Sequence, residues 1–288
     1  MDSKKLAADL QDYVVAFRRE LHEHPELSNK EFWTTDRIVK ELEGMGLTVR
    51  RFDPTGACAD IVGGKPGKTV ALRADIDALA VKEDTGLPFA SKIDGVMHAC
   101  GHDTHAAMLM GATRALVSIK DQLAGTVRVI FQPAEENVTG ARMLVKQGVL
   151  DGVDMIFGQH IAGMMPVGAM STAAGPSAAA SDHFVIKVHG KSCHGAMPNT
   201  GADATLAAAN IVCALQSIVS REIAPAEPAV VTVGQLVSGT AKNIVSGEAE
   251  MGGTVRTFSR ELRKTMPERI ERIAKQVAAA YRCTAELD

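Results

Sequence analysis

Short apolar runs that lead at once into acidic, amide or histidine residues constrain the fold of this chain more than any other feature. Val70-Ala71-Leu72 is followed by Asp75 and Asp77, and Val127–Phe131 by Gln132-Pro133-Ala134-Glu135-Glu136. Met155-Ile156-Phe157 is followed by Gly158-Gln159-His160. Helical stretches lie between them, an alanine-rich one from Thr104 to Ser118 and a short one from Gly140 to Gln147. Strands that alternate with helices predict an α/β domain, a mostly parallel sheet with helices on both faces. In such sheets ligands bind beyond the C-terminal ends of the strands, where these polar residues fall. Upstream, Leu6, Leu10, Val14, Phe17 and Leu21 recur at helical spacing and predict one helix stopped by Pro25. A second helix is expected from Ser28, with Glu31 three residues on as a capping box, ending at Gly44 and Gly46.

The periodicity lapses in the Gly/Pro/Ala/Ser-rich stretch from Met164 to Ser181, so a domain boundary is expected there, dividing 1–175 from 176–288. Beyond it come a strand around Phe184, Ile186 and Val188, a helix over Asp203–Val219, strands over Val230–Val237 and Glu250–Phe258, a helix from Ser259 to Tyr281 and a last short strand from Thr284. That order predicts a small α+β, ferredoxin-like sheet of the split βαβ type. A chain of 288 residues can bury a core unaided. A formal charge of −3 and 4% aromatics argue against a nucleic-acid partner or a charged membrane surface. Five widely spaced cysteines, none as CxxC, imply no disulfide framework and point to the cytoplasm. Neither a signal peptide nor an apolar stretch able to span a bilayer is read in the sequence.

Met97–His105 (MHACGHDTH) holds the densest chemistry. Cys100 and His102, separated by a glycine, can enter one site from a loop, and thiolate with imidazole suits Zn²⁺ and other borderline metals. The other reading is a buried cysteine beside surface histidines. His98 and His105 are expected to support the site or lie on the helix surface. Adjacent carboxylates point in different directions, so one of Glu135 and Glu136 can bind a metal while the other accepts a proton from water. Isolated pairs of this kind are usually solvated charge, but this pair follows a buried strand. His160 stands at a third strand end. Cys100, His102, Glu136 and His160 together make a mixed ligand set, with Glu135 as general base. Asp75 is placed to orient a ligand from behind, and Asp77 is left as a loop cap or a site residue.

These runs resemble the metal-dependent N-acyl-amino-acid amidohydrolases: Arg73–Leu79, Met97–His105, Phe131–Glu136 and Gly158–His160 look like motifs of the group that includes hippurate hydrolases, aminoacylase-like enzymes and plant auxin-conjugate hydrolases. They are more distantly similar to carboxypeptidase-G-type metallopeptidases. The resemblance implies a phosphorylase/hydrolase-like catalytic domain of the co-catalytic metallopeptidase type, a lid or dimerisation domain over 176–288, and a homodimer formed through that lid. It implies two divalent ions (Zn, Mn, Co or Ni), with Cys100, His102, Glu136 and His160 as ligands and Glu135, Asp75 and His194 as catalytic residues. The substrate implied is a small N-acyl amino acid. Val188–Pro198 resembles the lid segment whose histidine, His194 here, reaches a partner's site to polarise the carbonyl. Asn243 and Arg256 resemble lid residues that hold a substrate carboxylate or carbonyl. Asn199 departs from a common histidine.

Relatives continue past the lid, return to the catalytic domain and supply one more metal-ligating histidine. No histidine follows His194, so the return segment is expected to be absent and the second metal site incomplete. The competing function is therefore a non-catalytic metal-binding or dimerising homologue.

Overall fold

The computed structural model describes residues 3–172 and 174–288. The chain divides into two compact units, Met1–Gly168 and Ala169–Asp288.

In the first unit, α1 (Ser3–Asp9), α2 (Gln11–Glu23) and α3 (Phe32–Gly44) precede β1 (Val49–Arg51), β2 (Ala57–Val62) and β3 (Lys65–Asp75). Then come α4 (His102–Ser118), β4 (Ala124–Gln132), α5 (Gly140–Lys146) and β5 (Met155–Gly158). The sheet order is β1-β2-β4-β3-β5. β3 pairs in parallel with β4 and β5, as the alternation predicts, while β1 and β2 add an antiparallel flank that the sequence reading did not include. Helices cover both faces through the strand period of two. Ala59, Ile61, Ala74, Val129 and Phe131 pack with Phe17, Leu21, Ile38, Leu42 and Met110 from α2, α3 and α4. Their neighbours Cys58, Ala71 and Ile130 face Leu144 of α5 and Val149.

Two local expectations are corrected. The first helix is broken at Leu10, whose φ and ψ of −103° and 0° interrupt it. No α1 side chain is buried, whereas Phe17 and Leu21 are, so packing anchors only the second piece. The predicted capping box does not form. Ser28 Oγ donates to Asp77 Oδ2 (2.7 Å), and Glu31, fully buried, accepts from Thr55 Oγ1 and the Ala134 amide. The helix starts at Phe32, and the Glu26 carboxylate accepts from the Trp33 and Thr34 amides in its first turn. Tertiary partners outcompete the local motif because they satisfy the same oxygens inside the protein.

The second unit contains β6 (Ala180–His189), β7 (Cys193–His194), α6 (Ala204–Ser217), β8 (Ala229–Ser238), β9 (Ile244–Val245), β10 (Glu248–Thr257), α7 (Arg260–Ala280) and β11 (Thr284–Leu287). Its four-stranded sheet, β11-β6-β10-β8, is antiparallel throughout, and β7 pairs with β9 as a separate ribbon. α6 and α7 bury Ala207, Ile211, Leu215, Ile270 and Ala274 with Ile186, Val188 and Met251 of the sheet. Both helices are capped by the side chain before them, Asp203 to the Leu206 amide and Ser259 to the Leu262 amide. One stretch, Ala204–Glu222, is long and apolar enough by composition to cross a membrane, contrary to the sequence reading. Its buried residues belong to the core of this unit.

Candidate metal centre

The strand register assembles the site. Asp75 pairs with Gln132 across β3 and β4, and Arg73 with Gly158 across β3 and β5. The residues that follow each pair, Asp77, Glu135-Glu136 and His160, therefore leave the same edge of the sheet. α4 begins there too, at His102. Gly101 precedes it with φ of +89°, and a Cβ at that position would lie 2.2 Å from Ile161 Cδ1, so only glycine suits the turn.

His102 is the common member of the groups that result. Donor atoms of Cys100, His102 and His160 all lie within 4.8 Å of one another, as do those of His102, Glu135 and Glu136. His102 Nε2 is 3.8 Å from Glu136 Oε1, 4.0 Å from Glu135 Oε2 and 3.8 Å from Asp75 Oδ1. Cys100 Sγ is 3.4 Å from His160 Nε2. The ring is held from behind, with Nδ1 2.9 Å from the carbonyl oxygen of Asp77 and 3.1 Å from its Oδ1. Both are acceptors, so Nδ1 carries the proton and Nε2 is bare toward the site.

This donor set fits a metal. His102 Nε2 and Glu136 Oε1 are buried without a hydrogen-bond partner among the described residues, an arrangement that is costly unless a ligand completes it. The titratable groups also favour a positive charge. Burial and the neighbouring Glu136 carboxylate push the Cys100 thiol up to about 12. Burial likewise raises Glu135, assisted by Glu136. His102 is raised although its burial acts the other way, because Asp77 and the Asp75 charge outweigh it. Each shift is toward holding a proton, and a cation answers the same field.

The other residues singled out in the sequence take definite places. Asp75 does not bond Cys100, His102, Glu136 or His160; it binds His105 Nδ1 and Arg73 (2.7 Å). Burial alone would raise its carboxyl, yet those two partners hold it at about 2. Asp77 is a tie between segments, for its Oδ2 accepts from Ser28 and from the Glu136 amide (3.0 Å). His98 is buried with neither nitrogen bonded, and burial brings it down to about 4. Glu31, expected from the sequence only as a helix cap, has a part at the site: its bond to the Ala134 amide (2.8 Å) pins the residue, at φ +52°, that turns the chain into Glu135.

In the second unit His194 is exposed on the β7–β9 ribbon opposite Ile244, next to Asn243, whose carbonyl accepts from the Gly195 amide (2.7 Å). Arg256 lies at the other end of β10, paired with Ser181 and Val230. From Glu248, beside the ribbon, to Arg256 is about 26 Å along an extended strand.

The description "Peptidase family M20/M25/M40" matches residues 71–283. The chain belongs to this family. It is 46% identical over 275 residues to an N-acetylcysteine deacetylase of Bacillus subtilis, covering 95% of this chain and 72% of the relative. It is 44% identical over 285 residues to an N-acyl-L-amino acid amidohydrolase of Geobacillus stearothermophilus, covering 98% and 77%. Among solved structures, the Bacillus subtilis YXEP protein, described as a dinuclear metal binding peptidase from the M20 family, superimposes with a TM-score of 0.83 at 41% identity, covering 99% of this chain and 74% of that one. The α/β architecture of the M20 chain is thus shared with its relatives.

Proposed function

We propose that this M20-family chain is a metal-dependent amidohydrolase that cleaves the amide bond of small N-acyl amino acids. The observation that carries the reading is the bare, buried Nε2 of His102 grouped with the Cys100 thiol from the turn before α4 and with imidazole and carboxylate donors that follow the strands. Relatives named as deacetylases and amidohydrolases of acyl amino acids support the substrate class. Cys100, His102, Glu136 and His160 hold divalent metal, for which Zn²⁺, Mn²⁺, Co²⁺ and Ni²⁺ all suit the donors. When bound, such ions supply Lewis-acid polarisation of the scissile carbonyl and of the attacking water. Glu135 takes the proton from that water and passes it to the departing amine nitrogen, so the acid and the free amine leave with atoms balanced. Asp75 stiffens the buried wall of the site. His194 donates a hydrogen bond to the oxyanion, and Asn243 and Arg256 bind the substrate's carboxylate or carbonyl. Five free cysteines accord with a cytoplasmic location.

After reconstitution with each metal, the chain is expected to release free amino acid from N-acetyl or N-benzoyl amino acids, to stop with a chelator and to resume on metal return. Tight metal uptake with no hydrolysis across the panel would identify a metal-binding relative instead.

A homodimer in which the second unit serves as the lid is part of the same proposal, and the length of one strand supports it. Strand β10 runs about 26 Å from Glu248, three residues after the ribbon strand β9, to Arg256, longer than one acyl amino acid. If both ends touch substrate, they come from different copies. Mixing a Glu135→Gln chain with a His194→Ala chain should therefore restore about a quarter of wild-type activity, from hybrid dimers with one intact site. No recovery would mean that each chain uses its own His194 or none.

A further inference from the structure

His105 has no unoccupied nitrogen. The Ile161 amide donates to its Nε2 at 2.9 Å, so that nitrogen is an acceptor and the ring proton sits on Nδ1, where it is donated to Asp75 Oδ1. The ring is buried, and Asp75 is fixed in turn by Arg73. His105 therefore belongs to the wall rather than the ligand set, although its atoms lie close to those of Asp75 and His102.

What it holds is the segment that carries His160. The β3–β5 ladder ends at Arg73 and Gly158, so His160 stands two residues past the last pair. Among the described residues, besides the Cys100–His160 contact inside the site, the hydrogen bonds that tie 159–162 back to the wall of the unit are the Ile161–His105 bond and a Gln159 Nε2 contact to Met108 Sδ at 3.4 Å. The carbonyl of the same Ile161 accepts from His160 Nδ1 at 2.6 Å. That bond places the His160 proton on Nδ1 and leaves Nε2 bare toward Cys100 Sγ, 3.4 Å away. A single residue thus receives its position from His105 through its N–H and sets the tautomer of His160 through its C=O.

We infer that His105 is the positioning residue for His160, acting through the backbone of Ile161, so that a fixed Arg73–Asp75–His105 wall aims a ligand on an otherwise weakly tied loop. The inference rests on the proposed role of His160 in holding metal. It also explains a histidine in the first turn of α4 that the mechanism does not use. Partners of this kind typically contribute about 10–100-fold to metal affinity. A glutamine can replace the imidazole here, because its amide nitrogen can donate to Asp75 while its oxygen accepts from the Ile161 amide. Phenylalanine keeps the shape and loses both bonds.

The test compares Zn²⁺ affinity, by competition with a chromophoric chelator, for wild type, His105→Phe, His105→Gln, His160→Ala and the double variant His105→Phe/His160→Ala. Long-range proton–nitrogen spectra of the metal-free chains report the His160 tautomer. His105→Phe is expected to bind Zn²⁺ about 10–100-fold more weakly, and His105→Gln to recover most of that loss. In the His160→Ala background His105→Phe should cost nothing further, since a residue acting through His160 has nothing left to aim. Metal-free His105→Phe should show His160 mixed between tautomers. An equal loss in both backgrounds, a glutamine as weak as phenylalanine, or an unchanged His160 tautomer would each overturn the inference while leaving the metal site in place. Absence of Zn²⁺ binding by the wild-type chain would instead sink the proposed function and this inference with it.

Discussion

Glu135→Gln is expected to leave metal content near one wild-type complement and to lower kcat by about 10²–10⁴-fold, the range for loss of a general acid–base group. The two neighbouring carboxylates are separable because the turn after β4 aims them differently. The Glu135 side chain is 44% exposed and that of Glu136 22%, with Glu136 Oε1 fully covered and unpaired. The more open carboxylate can meet water and substrate, and the covered one is placed to be a ligand. Glutamine keeps the shape of Glu135 and removes its ability to take a proton, so binding and turnover should part company. Glu136→Gln should instead lower metal affinity and activity together. Elemental analysis of the purified variants with steady-state kinetics checks both. Turnover of Glu135→Gln within tenfold of wild type would remove it from the base role.

The parts of this site that were legible in the sequence are those attached to regular strands. β3, β4 and β5 announce themselves as apolar runs, and a β/α order places their ends along one edge, so Asp75, Glu135, Glu136 and His160 could be grouped before any geometry was known. Residues that act through long-range partners were not legible. Ser28 and Glu31 satisfy the local spacing of a capping box, and nothing nearby in the chain shows that Asp77, Thr55 and Ala134 compete for the same side chains. His105 gave only a helical spacing from His102; its work depends on Ile161, 56 residues away. The split at Leu10 was hidden for a similar reason. The apolar spacing continues through it, and only the core shows that burial begins with the second piece. Where a side chain's partner is set by tertiary packing, periodicity carries no record of it.

The second large effect concerns Asp103, one residue past His102 in the helix and facing away from the metal donors. Its Oδ2 lies 2.6 Å from Arg18 Nε and 2.8 Å from His22 Nδ1, and its side chain is wholly buried. His22 Nε2 reaches Glu83 at 3.2 Å, and Glu83 accepts from the Ser91 amide, so the cluster fastens the irregular segment after β3 onto α2. Phe89 packs against both, its ring 5.1 Å from the Arg18 guanidinium and edge-on to the His22 ring at 5.7 Å. Removing the shared anion leaves an imidazole and a guanidinium without their partner, which typically costs about 3–5 kcal/mol. Asp103→Ala is therefore expected to lose that much stability in urea denaturation, far more than truncation of the exposed Asp36 that pairs with Arg51. The cluster also sets a pH dependence. Burial would raise the Asp103 carboxyl, but His22, His98 and Arg18 together hold it below its ordinary value, so its contribution is present above the unfolded carboxyl pKa and lost as pH falls through the depressed one. The hydrogen bond to Asp103 raises His22 despite burial, so its contribution is complete below the unfolded imidazole pKa and lost as pH rises through the elevated one. The contribution of the Asp103–His22 pair should thus decline on both sides of a mildly acidic maximum. In Asp103→Ala the alkaline decline should shrink, because the main cause of the His22 shift is gone; a decline as steep as that of wild type would show that Glu83, not Asp103, holds the His22 proton.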